Sequence, residues 1–244
     1  MAVAMILAGG YGKRLRPLTL EVPKPLVKVG RKSVIEYQLE WLKYYGVDEV
    51  VVLAGYLKEK IIEALGSGSK YGVSITYVIE DEPLGTGGAL RNASHILRKN
   101  EVVIVTNGDI ITNIDPRPLV DRAKKGDVAA AIAAVPLRSP YGILNIDDEA
   151  KLIRGFTEKP ILRDYWINAG VYALTPAIVD KLPERGDVEK TTFPELADEG
   201  RLGVVKYETP PYYWRSIDTH KDLEEAAKEI EELGGLLPPP LNRG

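Results

Sequence analysis

The 244-residue chain has no cysteine, only two histidines, two methionines and two phenylalanines, and a single glutamine, Gln38. Without a thiol there can be no disulfide, zinc–thiolate centre or cysteine nucleophile. His95 and His220 have no local partners at a spacing that would suit a metal site or a catalytic triad. His95 falls within an apparent helix, GALRNASHILRK, where a surface or packing role is the simplest reading. The scarcity of heat-labile side chains fits a thermophilic source. There is no run of 18 apolar residues and no signal-peptide pattern at the N-terminus, so the expectation is a cytoplasmic protein without a membrane segment. A net charge of −3 argues against a general binder of nucleic acid or membrane surfaces.

What is present is an ordinary globular composition, 45% hydrophobic and 27% charged, in a chain long enough for one sizeable core. Charge is unevenly spread. Lys13, Arg14, Arg16, Lys24, Lys28, Arg31 and Lys32 face only Glu21 between residues 11 and 32. These cations follow the apolar run AVAMI and include part of LAGGYGKRLRPLT, residues 7 to 19. Glycine lets backbone approach a ligand closely, and clustered Lys and Arg attract anionic oxygen. Neither common phosphate loop fits, however. A dinucleotide fingerprint begun at Gly10 and Gly12 needs glycine at Leu15, and a Walker A loop ending at Lys13 needs Ser or Thr at Arg14 and glycine at Leu7.

Along the chain, buried β-branched strands alternate with amphipathic helices. AVAMILA, DEVVVLAG, VSITYVIE and EVVIVTNGDII read as strands; VIEYQLEWLKYYGV, LKEKIIEALGSG and GTGGALRNASHILRK read as helices. That rhythm predicts an α/β, three-layer, Rossmann-like and mostly parallel sheet with helices on both faces. After residue 130 the strands AAIAAVPL, YGILNID, GFTEKP and INAGVYAL come closer together, which predicts antiparallel additions in the second half. With no Ser- or Gly-rich linker, the expectation is one domain over 1–244, ending in a Pro/Gly-rich tail at about 233–244 that is extended and free to pack against a neighbour. LAGYLKEK at 53–60 echoes the first loop without its paired glycines or its Arg, and reads as coincidence.

In an open parallel sheet, ligands sit at the carboxyl ends of strands. LAGGYGKR, TNGDI, FTEKP and SIDTH all fall at or near such ends. Each alone has a plain reading. Asp109 could shape a turn, Glu158-Lys159-Pro160 a polar loop, Asn168 a turn, and Asp218 a helix N-cap.

Taken together and in order, LAGGYGKRLRPLT, PKPLVKVG, EDEPLGTGGAL, NGD, EKP, NAGVY and WRSID make the chain resemble the sugar-1-phosphate nucleotidylyltransferases. Within them the likeness is to mannose-1-phosphate guanylyltransferases and their heptose- or muramate-phosphate relatives. The expectation is a chain without the left-handed β-helix domain that many members carry. The resemblance implies transfer of a nucleotidyl group from a nucleoside triphosphate to a sugar 1-phosphate, with release of pyrophosphate. A phosphate monoester, with a second pKa of about 6, is largely dianionic at neutral pH and needs no general base. It does need two repelling anions held in line and neutralised.

By resemblance, Leu7, Ala8, Gly9 and Gly10 lie along base and ribose, with Gly85 and Thr86 also on the nucleotide, while Gly12 and Lys13 wrap the phosphates. Arg14 clamps the departing pyrophosphate, and Lys24 serves the α-phosphate. Tyr141, Gly142, Glu158, Lys159 and Asn168 form the sugar-phosphate side, and Asp109 and Asp218 hold Mg²⁺. Glu80, five residues before Gly85, is placed to meet the base edge, and its two acceptor oxygens match the adjacent donors of guanine. GTP with mannose 1-phosphate or a related sugar is thus the leading substrate pair. Uridylyl or thymidylyl transfer to glucose-, N-acetylglucosamine- or muramate-type 1-phosphates is the alternative. A non-catalytic nucleotide-sugar sensor is a further alternative, although such subunits should lose the lysine or carboxylates retained here. Lys13 stands where the family usually has Thr, which adds charge if that position acts through its backbone N–H. The oligomeric state is left open, with homo-oligomerisation among the options.

Overall fold

The computed structural model describes residues 2–239. Its strands are β1 (Ala2–Ala8), β2 (Lys28–Val29), β3 (Lys32–Ser33), β4 (Val47–Ala54), β5 (Ser74–Ile79), β6 (Val103–Asn107), β7 (Ile110–Thr112), β8 (Ala130–Arg138), β9 (Ile143–Asp147), β10 (Leu152–Thr157), β11 (Ile161–Leu174), β12 (Leu202–Lys206) and β13 (Trp214–Ser216). Its α-helices are α1 (Val34–Tyr44), α2 (Lys58–Leu65), α3 (Gly85–Asn92), α4 (Ser94–Lys99), α5 (Arg117–Lys124), α6 (Thr192–Asp198) and α7 (His220–Glu232).

Seven strands form the central sheet in the order β12-β8-β11-β6-β1-β4-β5. β1 pairs in parallel with both β4 and β6, β4 pairs in parallel with β5, and β12 pairs in parallel with β8. Only β11 runs against its neighbours, β6 and β8. The mostly parallel α/β architecture with antiparallel character in the second half is therefore as expected.

Alternation along the strands sends side chains to both faces. Ala4 and Ile6 of β1 and Val50 and Val52 of β4 join Ile35, Leu39, Trp41 and Leu42 of α1 on one face. Val3 and Met5 of β1 and Val51 and Leu53 of β4 pack on the other face with Leu90, Leu97, Phe193 and Leu196 of α3, α4 and α6. A smaller core joins Ala226 and Ile230 of α7 to Val29, Ile111 and Ile217.

Three local expectations are revised. The helix read through GTGGALRNASHILRK divides at Ala93 into α3 and α4. The apparent strand EVVIVTNGDII breaks at Gly108-Asp109 into β6 and β7, and β7 pairs with β13 in a separate two-stranded sheet. The start of the tail turns back on its own chain: Leu236 is buried in the α7 core, and its carbonyl accepts from Asn113 Nδ2 at 3.1 Å. Tail residues 240–244 lie outside the described residues.

Candidate functional site

The break after β6 is what makes the site. Gly108 has no room for a Cβ, which would stand 2.4 Å from the Leu7 carbonyl oxygen, and its N–H donates to that oxygen at 2.9 Å. Asp109 is thereby held beside the first loop. The Ile217 N–H donates to the Asp109 carbonyl at 2.8 Å, which brings up the segment carrying Asp218. Asp218 is not the N-cap of α7; Thr219 is, in a capping box with Asp222, and this leaves the Asp218 carboxylate free for other contacts.

Both carboxylates converge on one ammonium. Lys24 donates to Asp109 at 2.6 Å and to Asp218 at 2.8 Å. Arg14 donates to the same Asp218 oxygen at 2.7 Å, and the Ser216 hydroxyl donates to the other at 2.9 Å. Burial pushes the Asp218 carboxyl up, but the Lys24 and Ser216 hydrogen bonds and the Lys24 and Arg14 charges outweigh it and hold the group below its ordinary range.

Lys24, Arg14, Asp109 and Asp218 line a cavity of about 390 Å³. Every nucleotide-side residue expected from the sequence lines it: the loop from Leu7 to Arg14, then Glu80, Gly85 and Thr86, together with Lys24, Asp109 and Asp218. Gly12 adopts a left-handed φ of 60°, and the Thr19 hydroxyl donates to its carbonyl at 2.8 Å. The Lys13 ammonium lies 5.7 Å from the Tyr11 ring centroid.

Glu80 follows β5, which β1 and β4 separate from the β6 end that carries Asp109. One of its carboxylate oxygens, Oε2, is buried and has no hydrogen-bond partner among the described residues; the same is true of Asn107 Oδ1 on the cavity wall. Burial pushes the Glu80 carboxyl above its ordinary range, partly offset by a backbone hydrogen bond from Leu84. A Cβ on Gly55 would lie 2.6 Å from Glu80 Oε1, and a Cβ on Gly9 would also collide with that oxygen. The echo between LAGG and LAGY therefore has a spatial meaning. β1 and β4 run in register, Leu7 beside Leu53 and Ala8 beside Ala54, and each strand is followed by a glycine where the carboxylate needs the space.

The sugar-side residues are not part of this cavity lining. Tyr141 is 75% exposed, and Glu158 and Lys159 are exposed beside each other with 3.7 Å between their charged atoms. Gly142 lies against Phe156 and Glu158. Asn168 spends its side chain on its own strand, accepting from the Gly170 N–H at 2.8 Å and donating to the Tyr172 hydroxyl at 3.0 Å. Tyr172 in turn donates to Glu189, which also accepts from Thr86 at 2.6 Å, so a partly buried polar chain runs from the exposed Asn168 to Thr86 at the start of α3. Glu189 and Tyr172 were not singled out from the sequence. Tyr172 closes the NAGVY stretch four residues after Asn168, whereas Glu189 has no local signal, because its partners Tyr172 and Thr86 lie 17 and 103 positions away.

Among the described residues no group of three or more His, Asp or Glu could hold a metal ion by itself. Two carboxylates aimed at a single cation do fit Mg²⁺, which is commonly held by one or two carboxylates plus substrate phosphates and water. No helix of the described residues is long and apolar enough to cross a membrane.

Mannose-1-phosphate guanyltransferases of Yarrowia lipolytica and Saccharomyces cerevisiae are 41% and 39% identical to the chain over 224 and 227 residues. The matches cover 89% of this chain, which spans 61% and 62% of the length of those relatives. HddC from Yersinia pseudotuberculosis superposes with a TM-score of 0.74 at 27% identity, covering 94% of this chain and 100% of that one. HddC has also been crystallised with GMP-PN. The nucleotidyl transferase family model matches residues 3–233, from the first strand through α7, and the chain belongs to that family.

Proposed function

We propose that the chain transfers a guanylyl group from GTP to mannose 1-phosphate, or a closely related sugar 1-phosphate, and releases pyrophosphate. The observation that carries this reading is the polarity of the cavity. Lys24, Arg14 and two carboxylates gather around Asp218, and the half-buried Glu80, with one buried carboxylate oxygen left unpartnered, lines the same cavity from the β5 side. A guanine edge offers N1–H and the N2 amine side by side, which two carboxylate oxygens accept together. Uracil and thymine present one donor flanked by carbonyl oxygens, which a carboxylate repels. The names of the 39–41% identical relatives support the same nucleotide and sugar.

The chemistry asks for little beyond positioning and charge. The attacking phosphate oxygen is already ionised, so the absence of a histidine or thiol in the cavity is no obstacle. Lys24 neutralises charge at the α-phosphorus, where it serves the transition state more than the ground state. Arg14 and Lys13 hold the phosphates that leave as pyrophosphate. Lys159 and Glu158 recognise the phosphate and hydroxyls of the sugar, and this requires the exposed segment carrying them to approach the cavity. Asp109 and Asp218 would hold Mg²⁺, which when bound supplies charge neutralisation to the triphosphate.

The decisive experiment is pyrophosphate release over a grid of nucleoside triphosphates and sugar 1-phosphates. GTP with mannose 1-phosphate should give the highest kcat/KM. A preference for UTP or dTTP would replace the guanylyl reading by the uridylyl or thymidylyl one.

A further inference from the structure

We propose that Gln38 is a positioning residue for Asp109, acting through its side-chain amide on the backbone of the turn at 107–110. Gln38 lies on α1 and is 2% exposed. Its Nε2 donates to the Asn107 carbonyl at 2.7 Å and to the Ile110 carbonyl at 2.9 Å, one on each side of Gly108-Asp109. The central sheet ends at Asn107 and β7 starts at Ile110, so Gln38 bridges the two edges of the break from α1.

The residue type matters. A primary amide presents two N–H donors from one nitrogen and carries no charge to desolvate. A carboxylate would face both carbonyls with acceptors, methionine would offer no donor, and a buried ammonium would pay for its charge. The chain uses glutamine nowhere else, yet keeps one at the position where its two donors are needed.

Gln38 also begins a series. Trp41 donates to the Ile114 carbonyl at 2.8 Å, and the Tyr45 hydroxyl to the Asn113 carbonyl at 3.2 Å. Positions 38, 41 and 45 share one helical face, which therefore serves four carbonyls along 107–114. Of the three, only Gln38 reaches the turn that carries Asp109. With the Gly108 N–H on Leu7 and the Ile217 N–H on Asp109, it completes a three-sided fixation of that residue relative to the first loop and to Asp218. Loss of the amide leaves the Ile110 carbonyl without its side-chain donor, and leaves the longer 3.3 Å bond from Thr106 as the remaining side-chain donor to the Asn107 carbonyl among the described residues.

The kinetic half of the test rests on the transferase function proposed above; the exchange half does not. Gln38→Met is compared with Tyr45→Phe, which removes a donor from the same helical face beyond the turn. Gln38→Met should lower kcat roughly 10-fold or more, since small misplacements of reacting groups are costly, while the nucleotide KM moves less than about 3-fold. Tyr45→Phe should keep kcat within about 2-fold. Amide hydrogen exchange of Gln38→Met should lose protection at residues 108–110 and 217 while β1 and β4 keep theirs. Unchanged protection at the turn, or a loss spread evenly over the sheet, overturns the assignment. So does an equal kcat loss in both variants. If the wild-type chain transfers no nucleotidyl group to any substrate, the proposed function fails, and the exchange pattern still decides the role of Gln38.

Discussion

Lys24 and Asp109, 85 positions apart in the chain, are joined by a 2.6 Å hydrogen bond between ammonium and carboxylate. Lys24 sits in a 3-10 turn between Pro23 and Pro25, and its side chain is only 14% exposed. Lys28, four residues on, pairs instead with Glu36 at the surface. Lys24→Ala should therefore lower kcat by roughly 100-fold, with a smaller effect on substrate KM. Lys28→Ala should leave turnover intact and cost about 1 kcal/mol or less of stability. Steady-state kinetics and urea melts of the two variants check this; equal, mild losses of activity would make Lys24 just another basic surface residue.

Glu80 sets the base preference if its carboxylate meets guanine. Glu80→Gln should weaken GTP use by roughly 1–3 kcal/mol in kcat/KM terms and raise relative UTP use. Gly55→Ala should shift the preference the same way, because the new Cβ would crowd Cγ and Oε1 of Glu80. Competition assays with GTP and UTP read both variants. Unchanged preference in Glu80→Gln would disconnect this residue from the base.

The carboxylate pair predicts metal dependence. Activity should vanish in excess chelator and return with Mg²⁺, and Asp109→Ala and Asp218→Ala should each lose most turnover while keeping a native circular dichroism spectrum. Full turnover in chelator would remove the metal role from both residues.

Glu36 predicts the acid limb of stability. It closes the capping box of α1 with Ser33. Burial pushes its carboxyl up, but hydrogen bonds from Lys28 and from the Ser33 backbone and hydroxyl, with the Lys28 charge, prevail and bring it down to about 2. A carboxyl whose folded pKa is depressed stabilises the fold above its unfolded value and loses that contribution as pH falls toward the folded one. The contribution should be on the order of 2 kcal/mol, full above about pH 4.5 and fading toward about pH 2. Glu36→Gln should flatten this limb in urea melts between pH 6 and pH 3. An identical pH dependence in variant and wild type would assign the acid sensitivity to other groups.

Much of this was legible in the residues themselves. The alternation of apolar runs and amphipathic helices specifies the α/β class because strand and helix periods are local properties of a sequence. The glycines and cations of residues 7–14 announced an anion-facing loop, and the structure places all of them around one cavity. What the sequence by itself could not determine is which distant groups share a site. The Lys24 bonds to Asp109 and Asp218, the pairing of Gly9 and Gly55 beside Glu80, and the reach of Gln38 to the Asp109 turn all depend on strand order β11-β6-β1-β4 and on α1 packing beneath it. LAGY at 53–56 could not be told from coincidence, because its glycine is required by a carboxylate 25 residues later in the chain. Local pattern is written in neighbouring residues, whereas convergence of charge and the satisfaction of buried carbonyls are settled only when non-local packing brings donors and acceptors within 3 Å or so.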